Sequence, residues 1–100
     1  MVQEIAKKLI RMGKKEEAQD LYFIPRKEEY QVFMRVGDDR RFVQSFPFED
    51  MTAMISHFKF VAGMNVGEKR RSQLGSCDYP LENGVVSIRL STVGDYRGYE

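Results

Sequence analysis

The stretch Ile55-Ser56-His57-Phe58-Lys59-Phe60-Val61-Ala62-Gly63-Met64-Asn65-Val66-Gly67-Glu68-Lys69-Arg70-Arg71-Ser72-Gln73-Leu74-Gly75 changes character at its midpoint. Its first half continues an apolar stripe in which Phe48, Met51, Ile55, Phe58 and Ala62 recur at steps of 3, 4, 3 and 4, widened by Met54 and Val61. That spacing predicts an amphipathic helix from about Phe48 to Gly63. Pro47 suits its first turn, and Gly63 the position just past its last. The second half is charged and punctuated by glycine. Glu68-Lys69-Arg70-Arg71 is too polar for a strand core, which leaves two uses: a solvated, ion-paired loop, or an edge that binds anions or a partner. A helix that delivers a polar loop is the feature from which the remaining elements take their places.

Toward the amino end, Val2, Ile5, Leu9 and Met12 fall at helical steps while Lys7, Lys8, Lys14 and Lys15 crowd the other side. This predicts an amphipathic helix lying on a core, with a membrane-surface helix as the alternative. The period changes at Asp20. Leu21-Tyr22-Phe23-Ile24 reads as a short buried strand ended by Pro25, with Asp20 bracing the turn that leads into it. Tyr30, Val32, Met34 and Val36 alternate with Gln31, Phe33 and Arg35. Gly37-Asp38-Asp39 makes a turn, and Phe42, Gln44 and Phe46 alternate in the return strand, so residues 30–46 form a hairpin.

Toward the carboxyl end, Ser76 to Leu81 and Val85 to Ser91 read as a second hairpin around Glu82-Asn83-Gly84-Val85, where Asn-Gly suits a type I′ turn. In the return strand Val86, Ile88 and Leu90 face one way, and Ser87, Arg89 and Ser91 the other. An arginine among serines on the non-core face is available to a ligand or partner. The fold class is therefore α+β: an amino-terminal helix, one long central helix, and a mostly antiparallel sheet of about five short strands.

One hundred residues make a single domain, 1–100, with one core. The net charge of +1 with 31% charged residues gives no general pull toward nucleic acid or an anionic membrane. Cys77 is the lone cysteine, so no internal disulfide forms, and it reads as a small buried hydrophobe rather than a nucleophile. No apolar run approaches the ~20 residues of a membrane span, and a soluble protein is expected. Counted from Gly63, the phosphate-binding fingerprint G-x-x-x-x-G-K-[ST] requires Gly at 68 and Ser or Thr at 70; Glu68 and Arg70 stand there, and a carboxylate repels phosphate. One histidine and one cysteine do not make a zinc site, so no metal site is expected, and His57 reads as a surface residue. Tyr22, Tyr30 and Tyr79 read as sheet residues rather than a base-stacking platform.

The opening stretch resembles the Ile-Ser-(Arg/His)-x-Lys … Met-(Asp/Asn)-Ile-(Ala/Gly)-Glu-(Lys/Arg)-Arg-x-Pro-Gln-(Asp/Asn)-Gly signature of the amino-terminal domain of secretion and pilus traffic ATPases. Ile55, Ser56, Lys59, Met64, Asn65, Glu68, Lys69, Arg70, Gln73 and Gly75 match, while Ser72 and Leu74 depart from it. Asp20-Leu21-Tyr22-Phe23-Ile24-Pro25 is similar to the family's Ser-Asp-Ile-His-(Ile/Leu)-x-Pro, with Tyr22 in place of His. Arg89-Leu90-Ser91-Thr92 matches Arg-(Val/Met)-Ser-Thr, and Ser76 stands where the family often has a further arginine. His57-Phe58-Lys59-Phe60 is similar to the Gram-positive competence branch, whose motor assembles a DNA-uptake pseudopilus.

The resemblance implies a PAS-like fold and a fragment whose motor domain lies outside residues 1–100. It implies a regulatory and assembly domain of a hexameric ATPase, packed on its own carboxyl-terminal motor domain, on other subunits of the homohexamer and on an inner-membrane assembly platform. It places the protein in the cytoplasm at the inner face of the membrane. The fragment alone is not expected to be an enzyme or to hold a cofactor; ATP and magnesium belong to the parent. Arg89 is the candidate contact to the nucleotide, and Glu68, Arg70, Arg71 and Gln73 are candidate interface residues. No direct nucleic-acid partner is implied. The alternative reading is an independent α+β module that senses a small molecule or binds nucleic acid, with Lys69, Arg70, Arg71, Arg89 and Arg97 as its basic patch.

Overall fold

In the computed structural model, which describes residues 2–100, the helical spacing at the amino end becomes α1 (Val2–Lys15). There follow β1 (Asp20–Pro25), β2 (Tyr30–Val36), β3 (Asp39–Phe46), α2 (Phe48–Val61), β4 (Gln73–Leu81) and β5 (Gly84–Thr92). The fold class is α+β and every strand pairing is antiparallel. The five strands form two sheets, β1-β2-β3 and β4-β5, where the sequence pattern implied one. Tight turns pass pairing along within each sheet. Between β3 and β4 lie α2 and the loop 62–72, which pass on none. By contacts the chain divides into two units, the first ending at Met51 and the second running Thr52–Glu100, so the boundary falls within α2.

In the first unit, α1 buries Ala6, Leu9, Ile10 and Gly13. Only Leu9 is shared with the expected stripe. The buried line passes through small residues, and a Cβ at Gly13 would lie 3.9 Å from the Leu21 side chain, an ordinary contact. The helix ends with Glu17 in the left-handed region at φ 56. The Ala18 amide donates to the Gly13 carbonyl at 2.8 Å and the Glu17 amide to the Lys14 carbonyl at 3.2 Å. These two bonds are a Schellman cap, normally the place of glycine.

Tyr30, Val32 and Met34 are buried as their alternation requires. The β2–β3 turn is Gly37-Asp38, with positive φ at the first position only (Gly37, φ 62), the sign pattern of a type II′ hairpin. The expected alternation of Phe42, Gln44 and Phe46 fails for a local reason. Val32 pairs with Gln44 but Phe33 with Phe42, so Val43 is an extra, bulged residue and the two ends of β3 face opposite ways. Phe46 is buried, whereas Phe42 lies on the outer face with its ring 5.6 Å from Phe33. On that face the Arg40 guanidinium sits 4.9 Å from the centroids of both Tyr22 and Phe33.

In the second unit, α2 buries Met54, Ile55, Phe58 and Lys59. Its carboxyl end is also a Schellman cap: Gly63 has φ 72, the Met64 amide donates to the Lys59 carbonyl at 2.8 Å, and the Gly63 amide to that of Phe60 at 3.2 Å. Strand β4 begins three residues before the expected Ser76, because Gln73, Leu74 and Gly75 pair with Thr92, Ser91 and Leu90. Gly75 leaves room for its neighbours: a Cβ there would meet Met64 Cγ at 2.6 Å and the Ala62 carbonyl oxygen at 3.1 Å. The β4–β5 turn is Glu82-Asn83. Neither residue has positive φ, and Gly84 takes φ 133 as β5 begins, so this is not the expected type I′ turn.

Candidate functional site

The polar half of the signature stretch folds on itself. The Gln73 carboxamide lies against the loop backbone, its Nε2 donating to the carbonyls of Asn65 (2.9 Å) and Glu68 (3.1 Å) while its Oε1 accepts from the Asn65 amide (2.9 Å). Asn65 Oδ1 accepts the Gly67 amide at 3.1 Å. Glu68 Oε1 accepts the amides of Arg70 (2.8 Å) and Arg71 (3.3 Å). Those hydrogen bonds, the Arg70 amide's first, hold the Glu68 carboxyl below its ordinary range because they favour the charged form. Of the four candidate interface residues, Glu68 and Gln73 spend their side chains inside the loop. The Arg70 and Arg71 side chains are exposed and make no ion pair among the described residues.

Lys59 lies beneath this loop with 0% of its surface exposed. Its Nζ donates to the Glu68 carbonyl at 2.7 Å, to the Val66 carbonyl at 3.4 Å and to the Glu100 carboxylate at 2.7 and 2.9 Å. An ammonium has three protons to place, and three groups receive them. The sequence carried a signal for this residue that apolar counting passes over. Lys59 follows Ile55 by four and precedes Ala62 by three, so it stands on the apolar stripe itself.

Arg89 lies in mid-strand on β5, opposite Ser76, on the exposed row with Val85, Ser87 and Ser91. Across from Ser91 is Leu74, 84% exposed. Among the described residues no ion pair engages the Arg89 guanidinium. Arg97 differs, because Asp95 Oδ2 accepts from its Nε at 3.1 Å and pairs with its Nη2 at 3.0 Å. Of the five cations in the alternative basic patch, Arg97 is thus bound to a carboxylate.

His57 is not a plain surface residue. Its Nε2 lies 2.7 Å from the hydroxyl of Tyr79, which is buried, and their rings meet edge to face at 5.7 Å. Burial lowers the His57 pKa from its ordinary value. Burial, and then the Asp78 charge, raise that of the Cys77 thiol, which disfavours the reactive thiolate. Among the described residues no three of His, Cys, Asp and Glu converge as metal ligands, and no helix is long and apolar enough to cross a membrane.

The description "Type II/IV secretion system protein" matches residues 1–98. The whole chain is 62% identical to the competence protein ComGA of Streptococcus pneumoniae, of which it covers 32%. Over 92% of the chain it is 32% identical to ComGA of Bacillus subtilis, covering 26% of that protein. Over 91% of the chain it is 33% identical to the type IV pilus assembly ATPase PilB of Thermus thermophilus, covering 10% of that protein. The chain thus spans at most about a third of the length of these curated relatives.

Proposed function

The chain belongs to the type II/IV secretion system protein family, and from that premise we propose that residues 1–100 are the amino-terminal regulatory and assembly domain of a hexameric secretion ATPase that powers a competence pseudopilus for DNA uptake. The nucleotide and its magnesium are held by a motor domain outside these residues. In the loop 64–73 the Arg70 and Arg71 amides donate to Glu68 Oε1, so those two are engaged within the loop. This domain packs on the motor domain, its own or a neighbour's, at the inner face of the membrane. From there it works against an assembly platform.

Arg89 supplies the cation. An arginine keeps its charge at any working pH and presents a planar fork that matches phosphate oxygens, so it stabilises charge developing on the γ-phosphoryl group. The observation that carries this reading is the exposure of Arg89 in mid-strand with no ion pair among the described residues to hold it. Arg70 and Arg71 act at the domain interface rather than on phosphate. The test is turnover by the longer protein: Arg89→Ala is expected to lower kcat by on the order of 10³-fold, the scale of an arginine finger. Unchanged turnover would remove Arg89 from the reaction.

A further inference from the structure

Two contacts of independent chemistry join segment 93–100 to the loop 64–71. The first is the buried pair, in which Lys59 Nζ holds the Glu100 carboxylate at 2.7 Å and the Glu68 carbonyl at 2.7 Å, so one ammonium ties both segments. The second is backbone packing at Gly94. A Cβ built there would run into the Lys69 carbonyl oxygen and come within 3.1 Å of Arg70 Cα. Between these contacts the segment is closed on itself. Asp95 Oδ1 accepts the amides of Arg97 and Tyr99, each at 2.9 Å, and the Asp95 amide donates to the Tyr99 carbonyl at 2.8 Å. These bonds close Asp95–Tyr99 into one turn between Gly94 and Glu100.

We propose that segment 93–100 is a lever on the Lys69–Arg71 edge: its position sets the position of those cations, through Glu100–Lys59–Glu68 on one side and Gly94 on the other. Lys59 is then a positioning residue and not a contact. It lies behind the edge, holds the carbonyl of the residue whose carboxylate caps the Arg70 and Arg71 amides, and releases that carbonyl when Glu100 withdraws. The edge's role as an interface rests on the reading given above, whereas the coupling itself does not.

Amide hydrogen exchange on the 100-residue chain tests the coupling without nucleotide or motor domain, so its failure leaves the Arg89 reading untouched. Glu100→Gln removes the charge and keeps the shape. It is expected to speed exchange at Asn65, Glu68, Arg70 and Arg71 by about tenfold or more, with β1–β3 at wild-type rates. Gly94→Ala pushes on the same backbone from its other contact and is expected to change exchange at Lys69–Arg71. Changes confined to 93–100 in both variants would overturn the proposal, as would changes spread evenly over all amides. Should Glu100→Gln fail to fold, Lys59→Met combined with Glu100→Leu replaces the pair by apolar contacts. Rapid loop exchange on an otherwise protected fold is then expected, and a loop with wild-type protection would overturn the proposal.

Discussion

Lys59 and Glu100 form a buried ion pair in the second unit. A charge taken out of water costs several kcal/mol unless it is paired and hydrogen-bonded, and here the side chains of Lys59 and Glu100 are 1% and 6% exposed. Removing one partner leaves the other buried and uncompensated. Lys59→Met is therefore expected to lower unfolding free energy by about 3–5 kcal/mol in denaturant titration, and Glu100→Leu added to it recovers most of that loss. His57 gives a residue-scale prediction in pH. Its folded pKa lies below the ordinary 6.5 because burial disfavours the charged ring. The stability it contributes is full above pH 6.5 and is lost as pH falls from there through the folded pKa, since the unfolded chain takes the proton first. Stability measured from pH 7.5 to 5 should fall in wild type and fall less in His57→Phe.

At the scale of elements, the Glu17 cap is where the sequence departs from local preference. A non-glycine residue in the left-handed region costs about 1–2 kcal/mol, and Glu17 adopts it with φ 56 to close α1. Glu17→Gly should raise the thermal midpoint, with a gain of roughly 1 kcal/mol after the entropy of the added glycine is set against the relieved strain. Helices and strands were legible because their apolar periods are long. Phe48 to Ala62 marked α2, and Tyr30 to Met34 marked the core side of β2. What was not legible turned on contacts between residues far apart in sequence. The bulge at Val43 reverses β3 midway, so Phe42 surfaces although its alternation with Phe46 pointed inward. Gly75 read as a loop residue, yet it pairs with Leu90 in β4, with Met64 packed where a side chain would stand.

At the scale of the molecule, alternation alone placed Arg89 on the outer row, and the structure keeps it there. Composition left the charged run 68–71 as either a solvated, ion-paired loop or a binding edge. It divides instead, with Glu68 turned inward as a cap and Arg70 and Arg71 left outward, a division that depends on hydrogen-bond geometry and not on residue type. The role of Lys59 was hidden for a related reason: its partner is Glu100, 41 positions away. The most direct measurement is the affinity of the longer protein for ATP and for ADP, in wild type and in Arg89→Ala. A guanidinium on the γ-phosphate predicts that the substitution weakens ATP binding and leaves ADP binding unchanged, whereas equal affinities for ATP in the two proteins would contradict it.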